Sequence, residues 1–185
     1  LTGNIDVLGN LLTLEHLTLH NNDFTGEIAQ SIYTLTNLKT LYLAMNSFSG
    51  TILNNISNLV NLEYFWVGSN SLTGELPEEL WDLTKLREIG VENNNFTGSI
   101  PDFESGQLGY LKYLTLQNNS FHSEIPNSIC QLDNLIDKLG EIDEDFSDVI
   151  GEDWYYFNID NNNFCPEYPE CIEDYVGTQD ISNCP

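Results

Sequence analysis

The sequence predicts an α/β solenoid whose stacked turns lay their strands side by side in one parallel sheet. Three observations predict it: a repeat every 24 residues, a Leu-x-x-Leu-x-Leu spacing inside each repeat, and an Asn at the ninth place of each. The chain has 185 residues, 41% hydrophobic and 11% aromatic, enough for one domain with a substantial core. That content is too apolar for a disordered polymer.

Residues 1–13 read as the second half of an earlier turn, with Leu1, Gly3, Ile5, Leu8 and Leu11 in place once a one-residue deletion is allowed. The chain thus begins in mid-repeat. Five full repeats follow over 14–134. Their leading apolar triplets are Leu14-Leu17-Leu19, Leu38-Leu41-Leu43, Leu62-Phe65-Val67, Leu86-Ile89-Val91 and Leu111-Leu114-Leu116. The turn from Leu86 to Tyr110 is one residue longer than the others. Residues 135–153 read as an acidic insertion, 154–164 as a last repeat beginning with Trp154-Phe157-Ile159, and 165–185 as a cap over the open end. The insertion carries seven acids between Glu141 and Asp153. It does not fit a helix-loop-helix calcium site, because Asp148 falls where glycine is needed and Trp154 where the closing glutamate is needed. It reads as a solvated loop.

The spacing has a physical cause. Residues two apart on a strand point to the same face, so the last two apolar residues of each triplet enter the core while those between and after them face outward. Each turn therefore contributes one short strand. The ninth-place residues Asn22, Asn46, Asn70, Asn94, Asn119 and Asn162 end the strands. Their amides are expected to bond backbone groups of the next turn. Phe or Leu two residues later fills the interior, and the following glycine lets the chain turn again. Burying about seven apolar side chains gives one turn roughly 14 kcal/mol, while ordering its backbone costs about 24 to 48 kcal/mol. No turn folds alone, and neighbours and caps must supply the difference.

The pattern resembles leucine-rich repeats, and Gly98-Ser-Ile-Pro101, with Gly74-Glu-Leu-Pro77 close to it, is similar to the plant-type extracellular subfamily. Departures are few: Ala29 and Leu53 stand where Pro is usual and Ser123 where Gly is usual. The resemblance implies a right-handed leucine-rich-repeat solenoid with a concave parallel sheet, short helical or 3-10 turns on the convex face, and a disulfide-bearing C-terminal cap. Similar proteins serve as receptor ectodomains and as inhibitors of cell-wall-degrading enzymes. A protein, peptide or carbohydrate partner is what the resemblance implies.

Against 29 Asp and Glu stand only 5 Lys and Arg, a formal charge of -24. Such a surface repels phosphate backbones and anionic lipid, so nucleic-acid and membrane-surface binding drop out first. No apolar run reaches the roughly 18 residues of a spanning helix, and the first residues lack the features of a signal peptide. Cys130, Cys165, Cys171 and Cys184 lie in the last third. An even number crowded at one end points to local disulfides and an oxidising, secreted or extracellular setting, although the count alone also allows free thiols. Of three pairings, Cys130 with Cys165 and Cys171 with Cys184 is favoured, tying the fifth turn to the sixth and closing the tail.

No catalytic, metal or cofactor site is expected. His16 and His20 lie about 13 Å apart on an extended chain, too far to share an ion. No nucleophile elbow, zinc helix or phosphate loop occurs. The outward face of the strands is more informative, since Tyr and Trp without a packing reason to be there mark binding surfaces. The expected ligand-binding patch is Tyr42, Tyr64, Trp66, Glu88, Glu92 and Tyr113, with Tyr42, Tyr64 and Trp66 in contact. Ala44 and Gly68 beside Trp66 are expected to leave a shallow depression. Lys39, Arg87 and Lys112 occupy the second place of their turns and line one edge. They either attract an anion or pair with Glu63, Glu88 and neighbouring acids. Asn55, Asn95 and Asn118 head glycosylation sequons.

The sequence thus points to an extracellular, non-catalytic recognition module acting through the concave sheet. A competing class is a structural or surface-adsorbing protein whose acidic exterior binds calcium, ice or a wall polymer; the hydroxyl row Thr25, Ser49, Thr73, Thr97 fits it, although Glu27, Glu75 and Glu124 interrupt the row two places on. A fragment of a longer receptor also fits the mid-repeat start.

Overall fold

The computed structural model describes residues 1–3, 5–141 and 155–185. Each turn yields two strands, not one. In chain order these are β1 (His16–Thr18), β2 (Thr25–Glu27), β3 (Thr40–Tyr42), β4 (Ser47–Gly50), β5 (Tyr64–Trp66), β6 (Ser71–Glu75), β7 (Glu88–Gly90), β8 (Asn95–Thr97), β9 (Tyr113–Thr115), β10 (His122–Glu124), β11 (Phe157–Asn158) and β12 (Asn163–Cys165). The odd-numbered strands form a six-stranded parallel sheet in sequence order, each Leu-x-Leu strand lying one repeat from its neighbour, as in Leu17–Leu41 and Leu41–Phe65. The even-numbered strands form shorter parallel ladders, β2-β4-β6-β8 and β10-β12. Trp154 and most of the acidic insertion, residues 142–154, lie outside the described residues.

Short helical turns close the repeats on the far side: 3-10 segments at Asp6–Asn10, Gln30–Thr34, Asn54–Asn58 and Asn127–Gln131, with α-helical turns at Glu78–Trp81 and Asp133–Ile136. The longer turn has no such segment between Pro101 and Tyr110; there Phe103 packs edge-on against Trp81, with ring centroids 5.9 Å apart. Leu41, Leu43, Phe65 and Val67 are fully buried, and Phe96, Phe121 and Phe164 stack along the axis at 6.2–6.3 Å. One continuous core runs the length of the coil.

The ninth-place asparagines form a ladder, but toward the preceding turn rather than the next. Asn46 Nδ2 donates to the carbonyls of Leu19, Leu43 and Ala44 at 2.9, 3.0 and 3.2 Å, and its Oδ1 accepts the Phe24 N–H at 3.0 Å. Asn70, Asn94, Asn119 and Asn162 repeat this arrangement. The direction follows from where the side chain sits. The strand has just ended, so its free amide meets the polar backbone of the turn already laid down. Beside the ladder, Asn21, Met45, Ser69, Asn93, Asn118 and Asn161 all take left-handed backbone conformations, which Asn tolerates better than most residues.

The last rung needs a substitute, and the cap provides it. Gln179 Nε2 donates to the Ile159 carbonyl at 3.0 Å and to that of Val176, while its Oε1 accepts the Phe164 N–H at 3.2 Å. Gln179 thus stands where a seventh ladder asparagine would.

The cysteines pair as Cys130–Cys171 and Cys165–Cys184, which corrects the expected Cys130–Cys165 and Cys171–Cys184. The level of each cysteine around its turn explains the outcome. Cys165 ends β12 and stands opposite Glu124 of β10, whereas Cys130 lies six residues farther on, in the 3-10 segment. The chain must run past Pro169 before it reaches the level of Cys130, and Cys171 is the cysteine it brings there. Both Cα–Cα separations, 5.8 and 5.6 Å, lie within the usual range for a disulfide.

Candidate functional site

The concave sheet turns its third, fifth and seventh repeat positions outward, and in the middle of the stack these side chains form an ordered layer. Trp66 ends β5 with its indole lying across Gly90 of the next strand: a Cβ on Gly90 would stand 2.2 Å from the indole nitrogen. Glu92, two residues past Gly90, reaches back over Gly68, where a Cβ would stand 1.8 Å from its Oε1. The two side chains meet there. Trp66 Nε1 donates to both Glu92 carboxylate oxygens at 3.1 and 3.2 Å, and the Thr115 hydroxyl donates to Oε2 at 3.1 Å.

Both glycines are therefore required by close approach and not by backbone conformation. Their tolerance differs. The Glu92 carboxylate ends a flexible chain and can retreat from a new methyl, whereas the rigid indole cannot leave Gly90 without exposing its whole face.

The expected depression beside Trp66 is filled. Glu92 occupies the space above Gly68 and Trp66 the space above Gly90. Consequently Trp66 is only 7% exposed and Glu92 only 3%, although Trp66 lies outside the leucine core. Burial pushes the Glu92 carboxyl above its ordinary 4.5, against the opposing hydrogen bonds from its backbone, Trp66 and Thr115.

Tyr42 of β3 packs edge-on to Trp66, centroids 5.7 Å apart, and its hydroxyl donates to Glu88 Oε2 at 2.8 Å. Burial, then the adjacent Glu88 charge and hydrogen bond, raise the Tyr42 phenol well above its ordinary value. Glu88, Tyr64 and Tyr113 line a separate cleft on the flank of the sheet, of about 400 Å3, together with Arg87, Lys112, Lys138 and Tyr156. The six expected residues thus fall into two adjoining groups. Tyr42, Trp66 and Glu92 build the layer, Tyr64 and Tyr113 wall the cleft, and Glu88 belongs to both.

Lys39 pairs with Glu15 and Arg87 with Glu63, as the simpler reading of that edge expects. Two members of the site escaped sequence reasoning. Thr115 is an ordinary strand residue until Glu92 folds toward it. Lys138 belongs to no repeat position, so no column of the alignment placed it beside Tyr156, over whose ring its ammonium lies at 5.4 Å from the centroid.

The sequon asparagines Asn55, Asn95 and Asn118 are exposed, and Asn118 Nδ2 donates to Asn93 Oδ1 at 2.8 Å. The hydroxyl row does not assemble flat: Glu27 stands opposite Ser49 and Glu75 opposite Thr97. Among the described residues there is no group of three or more metal-ligating side chains, and no helix long and apolar enough to cross a membrane.

Comparison with known proteins agrees with this geometry. The family model described as Leucine Rich Repeat matches residues 13–35, 37–59, 61–83 and 110–132, passing over the longer turn that lacks a helical segment. No curated protein sequence matches the chain. Among solved structures, the leucine-rich-repeat ectodomain of the Arabidopsis thaliana receptor kinase GASSHO1/SCHENGEN3, in complex with CASPARIAN STRIP INTEGRITY FACTOR 2, is 29% identical with a TM-score of 0.71. That match covers 88% of this chain and 17% of the ectodomain. The Arabidopsis receptor kinase HAESA, in complex with the peptide hormone IDA and the co-receptor SERK1, is 26% identical with a TM-score of 0.76, covering 98% and 29% of the respective chains. The ectodomain of the Arabidopsis receptor kinase SOBIR1 is 33% identical over 64% of each chain, with a TM-score of 0.57. The chain spans less than a third of the length of the first two.

Proposed function

Because this chain belongs to the leucine-rich-repeat proteins, we propose that it is an extracellular recognition module that binds a peptide or protein through the middle of its concave sheet. One observation carries this reading: the outward side chains of β3, β5, β7 and β9 are fixed before any partner arrives. Tyr42 is tied to Glu88 and Trp66 to Glu92, so half-buried Tyr42, Tyr64 and Tyr113 stand on a rigid floor. A surface ordered in advance loses little entropy on binding, and tyrosine adds large contact area with few rotatable bonds. In this reading Trp66 supports the surface and the tyrosines touch the partner. The complex of the similar receptor kinase HAESA with a peptide hormone supports the class of ligand, and the two disulfides support an oxidising, extracellular setting. The face acts by binding and not by catalysis, and exposed Asn55, Asn95 and Asn118 carry glycans on the secreted protein.

A displayed random-peptide library selected on the folded chain tests this. Selected peptides are expected to bind saturably, and Tyr64→Ala or Tyr113→Ala to weaken them about tenfold or more, the loss typical of a buried aromatic anchor. Peptides that ignore both substitutions but respond to changes around Asn54–Asn58, on the opposite side, would place recognition elsewhere.

A further inference from the structure

We infer that the cleft beside β7 and β9 seats a carboxylate of the partner, held by Lys112 between Arg87 and Lys138. This rests on the reading of the concave face as a recognition surface and names the chemistry of one contact there.

The chain has only five Lys and Arg, and three of them converge on this one cleft. Arg87 and Lys112 come from neighbouring turns: the Lys112 N–H bonds the Arg87 carbonyl at 2.8 Å, so the two side chains start side by side. Lys138 approaches from the segment after the helical turn Asp133–Ile136. The acids nearby are largely committed. Glu63 Oε2 accepts from Arg87 at 3.0 Å, Glu141 Oε2 from Lys138 at 2.5 Å, and Glu88 Oε2 from the Tyr42 hydroxyl. Lys112 is exposed and forms no ion pair or side-chain hydrogen bond among the described residues. It is the surplus cation of the cleft.

The two existing ion pairs are partly exposed, and pairs of that kind are weak enough for an arriving carboxylate to compete with them. The walls suit an acid on an organic stem. Tyr113 and Tyr156 meet at 4.3 Å between centroids with their rings tilted by 34° and, with Tyr64, give the cleft aromatic walls for methylene groups while the cations take the charge. A cavity of about 400 Å3 holds one acidic side chain or one chain end, not a folded element. The rest of the surface, at a net charge of -24, repels an acid. An acidic partner is thus directed to this place, which fixes its register along the sheet.

Three small probes test the inference on the whole chain by NMR of the tyrosine rings: N-acetyl-aspartate α-amide, with a side-chain carboxylate only; N-acetyl-alanine, with a chain-end carboxylate only; and N-acetyl-asparagine amide, which is neutral. At least one charged probe is expected to shift the Tyr113 and Tyr156 resonances saturably while the neutral probe does not, and the tighter charged probe identifies the source of the carboxylate. Lys112→Gln, exposed and outside the core, is expected to weaken the charged probe about fivefold, the size of one exposed charge contact. Raising ionic strength from about 10 to about 200 mM weakens it further. Equal response to the neutral amide, or unchanged affinity in Lys112→Gln, overturns the inference. If that happens while Tyr64→Ala still weakens binding of the selected peptides about tenfold or more, only the cleft assignment falls and the recognition reading stands.

Discussion

Glu92 is a carboxylate buried on the outward side of a sheet, held there by an indole N–H and a hydroxyl instead of a cation. Desolvation outweighs those two donors and raises its pKa in the folded chain. In the unfolded chain the group returns to about 4.5. The folded state therefore binds a proton more tightly, and the stability this group contributes is fully present below that value and declines as pH rises through the folded-state pKa. Glu92→Gln removes the titration but keeps a carbonyl oxygen that accepts from Trp66 and Thr115. Its melting temperature is expected to match the wild type near pH 4 and to exceed it increasingly toward neutrality, read by calorimetry across that range. A constant offset between the two chains would show that burial does not raise the Glu92 pKa in the fold. At this scale the sequence was only partly legible. Trp66 stood out as an aromatic on the outward face, yet its burial depends on Gly90, its neighbour in the same column, and on Glu92 two columns on. Contacts made in one pair of turns and in no other leave no period for a sequence reading to detect.

The strands, turns and ladder are where the repeat speaks most plainly. Leu41 with Leu43, and Phe65 with Val67, could be assigned inward from a two-residue spacing alone, because parity on a strand leaves no other choice. The second strand of each turn was not legible. β2, β4, β6 and β8 pair through backbone groups, and their exposed residues, such as Thr25 and Ser71, carry no apolar alternation. The ladder was visible as a column of Asn, but its cap partner Gln179 was not, since it lies in a segment with no repeat. Asn70→Ala leaves the Phe48 N–H and carbonyls of Leu43, Val67 and Gly68 without their side-chain partner. An unsatisfied buried group costs about 1–3 kcal/mol, so this substitution is expected to destabilise the chain by at least that much in urea unfolding. Gln179→Ala strips only the terminal rung. Its mark is faster hydrogen exchange at the Phe164 amide, with the exchange of Phe48 and Phe96 unchanged. Uniformly faster exchange along the coil would mean that Gln179 is not an end cap.

A coil in which each turn touches only its neighbours has two open ends, and its stability depends on how those ends are closed. Toward the start, Ile5 and Gly9 are buried against the first full turn. At the far end the closure is covalent: Cys130–Cys171 fastens the cap to the fifth turn across 41 residues, and Cys165–Cys184 fastens the tail to β12 across 19. The sequence announced a cap, because the repeat stops and four cysteines gather there. It did not announce the pairing, which depends on the level each cysteine reaches around its turn. Closing a loop of 41 residues removes roughly 4 kcal/mol of unfolded-chain entropy, so Cys130→Ser with Cys171→Ser is expected to lower the unfolding free energy by about 2–4 kcal/mol. The loss should also have a direction. Without that tie the face formed by Phe164 and Ile159 opens first, and hydrogen exchange should accelerate most in β11 and β12, less in β9, and least in β1 and β3. Cooperative loss at equal rates in every strand would show that the coil melts as one unit and that its C-terminal cap is not the weak end.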